Sequence, residues 1–259
     1  MVLYGILLFR KGGPGGSADR FARPALLLAL GIHTALIYAE TVAFGHCLVY
    51  SPFELMTMIA FTLSLTYLIV ELVTGEKGTG VFFIGLALIF QILSGMFEPE
   101  PGFAAGTSLL QDVVGLHISA ALIGYTAFTM SAVWGLLYLM QHHEIRANRF
   151  GPLYNRLPSL GLLERMSATA AVVGLVFLSI AILIALFWMP DTVEGFSYGD
   201  PKVIATIVIW FIYAVALAMK YVVRVDQRRF VLLSLIGFGA ILLSMTIVNF
   251  LLSRFHDFR

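Results

Sequence analysis

Histidine is the residue type with the widest chemical reach in this chain, and there are six: His33, His46, His117, His142, His143 and His256. Imidazole takes up a proton near neutral pH, hydrogen-bonds through two nitrogens, and binds iron, including as an axial ligand of haem. Other reactive types are thinly spread. Cys47 is the single cysteine, which excludes an intramolecular disulfide, a Cys-x-x-Cys redox pair and a thiolate cluster for zinc or iron–sulfur. No carboxylate pair suggests hydrolysis and no serine lies in a nucleophile elbow. The run KGGPGGS at 11 to 17 lacks the Gly-Lys-Ser/Thr ending of a phosphate loop and reads as a flexible turn. His33 and Glu40 stand seven residues apart, two helical turns and therefore on one face of a helix. Such a seam suits a proton path, a ligand, or a hydrogen bond to a neighbouring helix. His142 and His143 sit beside Glu144 and Arg146 in the pattern of a solvated helix end.

The elements that must position these residues are membrane helices. Of 259 residues, 59% are hydrophobic and 12% charged, and the mean hydropathy is +0.92; a soluble domain holds about 45–50% apolar and about 25% charged residues. A spanning helix needs about 20 mostly apolar residues. Seven stretches approach or exceed that length: 24–44, 53–73, 80–97, 113–141, 168–189, 203–223 and 230–253. Gly and Pro punctuate the breaks, as in EPEPG at 98 to 102 and YGDP at 198 to 201. The expected fold is all-α, a polytopic transmembrane bundle of seven full spans plus a short N-terminal helix, forming a single transmembrane domain over residues 1–259. Residues 1–9, MVLYGILLF, are too short to span and precede Arg10 and Lys11; they read as a half-length first helix or the remnant of one that starts upstream.

Charge placement gives this bundle a direction. The net charge of +1 is scattered through short loops, which argues against nucleic acid as a partner. Counted over alternate connections, one side holds Arg10, Lys11, Arg20, Arg23, Lys77, Arg146, Arg149, Arg156, Arg165, Lys220, Arg224, Arg228 and Arg229. The other holds Lys202, Arg254 and Arg259. Basic residues are retained on the cytoplasmic side, so loops 45–52, 98–112 and 190–201 and the C-terminus are expected outside. His46, His117 and His256 then collect at the outer membrane level. Two histidines from different helices can clamp one porphyrin between them; a histidine near the headgroups is also simply an amphipathic residue at an interface.

Several short motifs follow one another along nearly the whole chain. Gly45-His46 precedes Phe53-Glu54, and His117-Ile118 leads through Gly124-Tyr125 to Leu137-Tyr138-Leu139. Leu157-Pro158-Ser159-Leu160 precedes Leu163-Glu164, and Asp200-Pro201-Lys202 precedes Trp210 to Tyr213. Gly237-Phe238, Asn249 and His256-Asp257-Phe258 close the series. In that order they resemble the CcsA/HemX family of cytochrome c biogenesis and haem-handling membrane proteins. The resemblance implies that His117 and His256 are axial ligands of the iron of one haem b at the outer face, with His46 and Asp200 also cofactor-binding. It implies haem, apocytochrome c and a Ccs1/ResB-like membrane subunit as partners beside the lipid bilayer. The place implied is the bacterial cytoplasmic (inner) membrane, with the C-terminus extracytoplasmic.

Two departures from the ligase members narrow the resemblance. Their tryptophan-rich loop is replaced by PDTVEGFSYGDP, where Phe196 and Tyr198 supply part of the aromatic surface that packs on a porphyrin. Their cytoplasmic-side histidine aligns with Ala218, so His46 lacks the mate of a second, inner haem. Both losses point to the HemX-like branch, associated with haem binding or transport, cytochrome c maturation or control of haem synthesis. With no redox cysteine pair, the chain is expected to be part of a haem lyase or cytochrome c synthetase system and not a self-sufficient enzyme. The alternative is a haem-free membrane anchor or regulatory subunit of a haem-biosynthesis or respiratory complex, docking through 142–167.

Overall fold

A computed structural model describes residues 1–9, 17–44, 52–96, 108–148, 151, 154, 157–192 and 197–244. His46, Cys47, Phe196, Asn249 and His256 lie outside the described residues. Among the described residues all regular structure is helical: α1 Val2–Phe9, α2 Ser17–Phe44, α3 Pro52–Thr74, α4 Gly80–Ser94, α5 Ser108–Arg146, α6 Leu160–Thr192, α7 Pro201–Ala218 and α8 Gln227–Leu243. A π-helical turn, Met219–Val223, prolongs α7 and ends at Arg224 in the left-handed region, φ 58°.

Five described segments are long and apolar enough to cross a bilayer: Ala18–Ala43, Glu54–Thr74, Val113–Arg146, Leu160–Pro190 and Pro201–Val223. With those helices the chain is a multi-pass membrane protein. The stretch expected at 80–97 is shorter, because α4 stops after 15 residues, a rise of about 22 Å against a hydrocarbon core of about 30 Å. Gly95 caps it, its N–H bonding the Gln91 carbonyl at 3.0 Å. The stretch expected at 230–253 is described as helix only to Leu243. Three other helices, α2, α5 and α6, outrun their expected bounds by several residues. At the end of α5, Gln141 Nε2 donates to the Tyr154 carbonyl (3.5 Å) and Glu144 Oε2 accepts the Tyr154 N–H (3.1 Å). Helix α6 starts early because Ser159 Oγ accepts the Leu162 N–H at 3.4 Å.

The chain forms two compact units, Met1–Ala105 with Met140–Leu162, and Gly106–Leu139 with Leu163–Arg259. In the first, Tyr67 packs edge-on to Tyr4 (centroids 5.5 Å) and stacks with Phe83 (5.6 Å). Any Cβ at Gly80 would overlap the rings of Tyr4 and Tyr67, so glycine opens α4. Fully buried Glu71 accepts from Tyr4 Oη (2.5 Å) and Arg23 Nε (2.9 Å), and Lys77 Nζ pairs with Asp19 Oδ1 (2.5 Å). These bonds tie α1, α2 and α3 together at one end.

The second unit packs α5 to α8 around Phe128 and Tyr213, whose rings stack with centroids 3.6 Å apart and planes 13° apart. Each ring lies over a glycine. An added Cβ at Gly174 would stand 2.5 Å from Phe128 and one at Gly237 would stand 2.6 Å from Tyr213. The stripe Ser167, Ala168, Ala171 and Gly174 on α6 is buried, and Ser167 Oγ donates to the Ser131 carbonyl at 2.9 Å. Small residues at these positions let helix backbones approach, which drives helix association where lipid removes the hydrophobic drive.

Candidate functional site

His117 lies on α5 in the second unit, nine residues after Ser108. Its Nδ1 is 2.9 Å from the Ala181 carbonyl oxygen on α6. A carbonyl only accepts, so Nδ1 carries the proton and Nε2 keeps its lone pair. The same bond fixes the plane of the ring. This is the arrangement by which a backbone carbonyl orients a metal-ligating imidazole and raises its basicity. Close contact of α5 with α6 makes it possible, since a Cβ at Gly124 would meet the Leu178 nitrogen at 3.1 Å and the Gly174 carbonyl at 3.3 Å.

Asp200 is buried at the start of α7, where its Oδ1 accepts the Lys202 N–H at 2.7 Å. It caps the helix, and Pro201 follows at a position that needs no amide hydrogen. Lys202 Nζ reaches across to α8 and donates to Ser244 Oγ (3.2 Å) and the Ser244 carbonyl (3.5 Å). Tyr125 Oη and Thr206 Oγ1, 3.3 Å apart, join α5 to α7. Trp210 Nε1 donates to Ser179 Oγ at 2.7 Å and so joins α7 to α6. Tyr198 is exposed, its hydroxyl 3.3 Å from the Leu186 carbonyl.

Other candidates fall elsewhere. His33, in the first unit, meets Phe61 edge-on (centroids 5.4 Å), and its buried Nε2 has no hydrogen-bond partner among the described residues. Glu40 is exposed on the same helix, and no described hydrogen bond joins it to His33. Ala218, exposed at the end of α7, leads into the π-helical turn where Lys220 pairs with Glu164 (2.8 Å) and bonds Gln227 (2.5 Å).

A model of a family described as cytochrome C assembly protein matches residues 79–256. That stretch holds His117, Asp200, Lys202 and His256 and covers more than half of the chain. The chain belongs to the cytochrome C assembly protein family. Among its relatives, Protein HemX of Brevibacillus brevis is 25% identical over 249 residues, covering 92% of this chain and 87% of the relative. Protein HemX of Bacillus subtilis is 24% identical over 180 residues, 69% of this chain and 65% of that one. The cytochrome c biogenesis protein CcsA of Trieres chinensis is 22% identical over 236 residues, 80% of this chain and 76% of that one. Family membership gives the chain a role in cytochrome c biogenesis and involves it with haem.

Sequence reasoning singled out His117 as a candidate from its type and its expected membrane level. It missed the Ala181 carbonyl, because a backbone acceptor carries no residue-type signal. It also missed the Lys202 to Ser244 tie, which joins two loosely patterned positions 42 residues apart.

Proposed function

We infer that the chain binds one haem b at the outer face of a bacterial cytoplasmic membrane, with His117 and His256 as axial ligands, and presents it during cytochrome c assembly. The observation that carries this reading is the Nδ1–H of His117 bound to the Ala181 carbonyl, which leaves Nε2 as a ready donor to iron and fits the residue to that role. Haem bound there would be held by His117 and His256 and would supply the iron porphyrin that is attached to an apocytochrome. The chain's own residues hold and orient. His117 is fixed by α6, Asp200 sets the start of α7, and Lys202 ties α7 to the end of α8, the helix from which the chain runs on to His256. In this reading the stretches 80–97 and 230–253 count as spans, which gives seven spans, one transmembrane domain, basic loops inside and the C-terminus outside. A Ccs1/ResB-like subunit and reduced apocytochrome c are the expected partners, because a chain with one cysteine has no dithiol of its own.

Absorption spectra of the purified protein, oxidised and reduced, test the reading. Six-coordinate low-spin haem is expected, and His117→Ala or His256→Ala should change its spin state or abolish binding. A haem-free preparation unresponsive to added haem would overturn it in favour of a haem-free anchor or regulatory subunit.

A further inference from the structure

Helix α7 and its π-helical turn run from Pro201 to Val223, long enough to cross a bilayer, so the connection that follows emerges at headgroup level. Over residues 224–229 three arginines, Arg224, Arg228 and Arg229, stand against one carboxylate, Asp226, a net charge of +2. All three arginines are exposed. None makes a side-chain hydrogen bond or ion pair with another described residue. Lys220, one turn back, is used differently. Its Nζ donates to Glu164 Oε1 (2.8 Å) and Gln227 Oε1 (2.5 Å) and lies 5.3 Å from the centroid of the Phe230 ring. It fastens α6, the end of α7 and the start of α8 together. Asp226 interacts electrostatically with Tyr138 of α5, and no described ion pair joins it to the arginines.

The backbone holds the three arginines close. The N–H groups of Arg229 and Phe230 both bond the Asp226 carbonyl, at 3.0 and 3.4 Å, and wind 226–229 into the first turn of α8. Arg224 stands two residues before Asp226, about 7 Å at full extension, and one helical turn adds about 6 Å, so the side chains start within about 13 Å of one another. Arg224 occupies the left-handed position at the helix end, φ 58°, where glycine is favoured; α3 is followed there by Gly75, φ 74°. No side-chain contact among the described residues offsets the strain at Arg224, which leaves its guanidinium for a partner outside the chain. The neighbouring residues identify that partner. Tyr221, Val222 and Val223, immediately before Arg224, are 57%, 79% and 67% exposed. Apolar side chains and a tyrosine exposed at the end of a spanning helix belong against lipid, and arginines one step further lay their stems along the acyl boundary and their charge among headgroups.

We propose that Arg224, Arg228 and Arg229 form a headgroup site for an anionic phospholipid, whose phosphate meets the guanidinium groups while an acyl chain lies along Tyr221, Val222 and Val223. Guanidinium forks bind phosphate oxygens through paired N–H bonds. A phosphatidylcholine headgroup carries the same phosphate beside a choline cation that the arginines repel, so the site selects headgroups of net negative charge. The Lys220 tie keeps the two helix ends together before lipid arrives. The proposal is independent of the haem reading. On the orientation expected from the basic loops, the site belongs to the inner leaflet, which is rich in anionic lipid.

Native mass spectrometry of the full chain released from detergent micelles, titrated with phosphatidylglycerol and with phosphatidylcholine of the same acyl chains, tests this. The wild type should bind the first phosphatidylglycerol about tenfold or more tightly than the first phosphatidylcholine, since each arginine near an anionic surface contributes about fivefold. Arg224→Gly should cut that preference about fivefold without lowering the unfolding temperature, because glycine suits the left-handed position. Glutamine at all three positions should abolish the preference, whereas glutamine at Arg20, Arg146 and Arg165, exposed basic residues expected on the same side, should leave it. A wild type without preference would overturn the proposal. Equal loss in the two triple variants would overturn it in favour of diffuse charge. Displacement of the lipid by equimolar glycerol phosphate would overturn it in favour of a site for free phosphate. An Arg224→Gly protein that unfolds at lower temperature and binds both lipids equally weakly would mean that Arg224 serves the fold alone, and would overturn it as well.

Discussion

His117 depends on an atom that no side chain supplies. The Ala181 carbonyl 2.9 Å away selects its tautomer, and that choice decides whether Nε2 donates a proton or a lone pair. Asp200 caps α7, its Oδ1 accepting an amide hydrogen at the start of the helix. Asp200→Ala should therefore lower stability by about 1 kcal/mol, while Asp200→Asn, a comparable cap, should be nearly neutral. Thermal unfolding of the two variants in detergent checks this; equal losses would mean that the charge matters and the cap does not. At this scale the sequence made residue types legible and pairings illegible. His117 stood out by type and level, whereas its partner and the Lys202 to Ser244 bond are set by helix crossings that no local pattern encodes.

Helix identity was readable from hydropathy, and so were the bounds of the spans at 53–73 and 203–223, but the lengths of α4, α5 and α6 were not. Apolar runs mark how much of a helix can face lipid, while hydrogen bonds at the ends decide where it stops. Helix α5 therefore extends past its apolar run to Arg146, supported by Glu144 and Gln141, and α4 ends early at Gly95. Close packing within the second unit yields a sharper expectation. Gly174→Ala would press a methyl group on the Phe128 ring and should destabilise by about 1–3 kcal/mol. Gly31→Ala on α2, where nothing lies within 4 Å, should cost nothing and gain up to about 1 kcal/mol of helix propensity. Unfolding temperatures of the pair read the contrast directly, and a Gly174→Ala protein as stable as wild type would refute the packing at that crossing.

Across the whole molecule, polar residues inside the first unit and basic residues in its loops have different jobs. Glu71 is fully buried and held by Tyr4 and Arg23. Arg23→Ala should destabilise by about 3 kcal/mol, at the low end for breaking a buried pair because Arg23 is itself partly exposed; thermal unfolding again measures it. The exposed loop residues instead set direction. With Cys47 replaced by serine, a cysteine introduced at Ser197 should react with a membrane-impermeant maleimide added to intact spheroplasts, and one at Arg146 should not. The reverse pattern would invert the expected orientation. The charge asymmetry was legible because it needs only a count. The division into two units was not, because it depends on long-range contacts.

The most direct test of haem ligation by His117 is electron paramagnetic resonance of the ferric protein, comparing wild type with His117→Gly before and after addition of free imidazole. The wild type should give a low-spin bis-imidazole signal. The variant should lose it to a high-spin species and regain it when imidazole fills the space left by the side chain. A low-spin signal that persists unchanged in His117→Gly without imidazole would contradict the account.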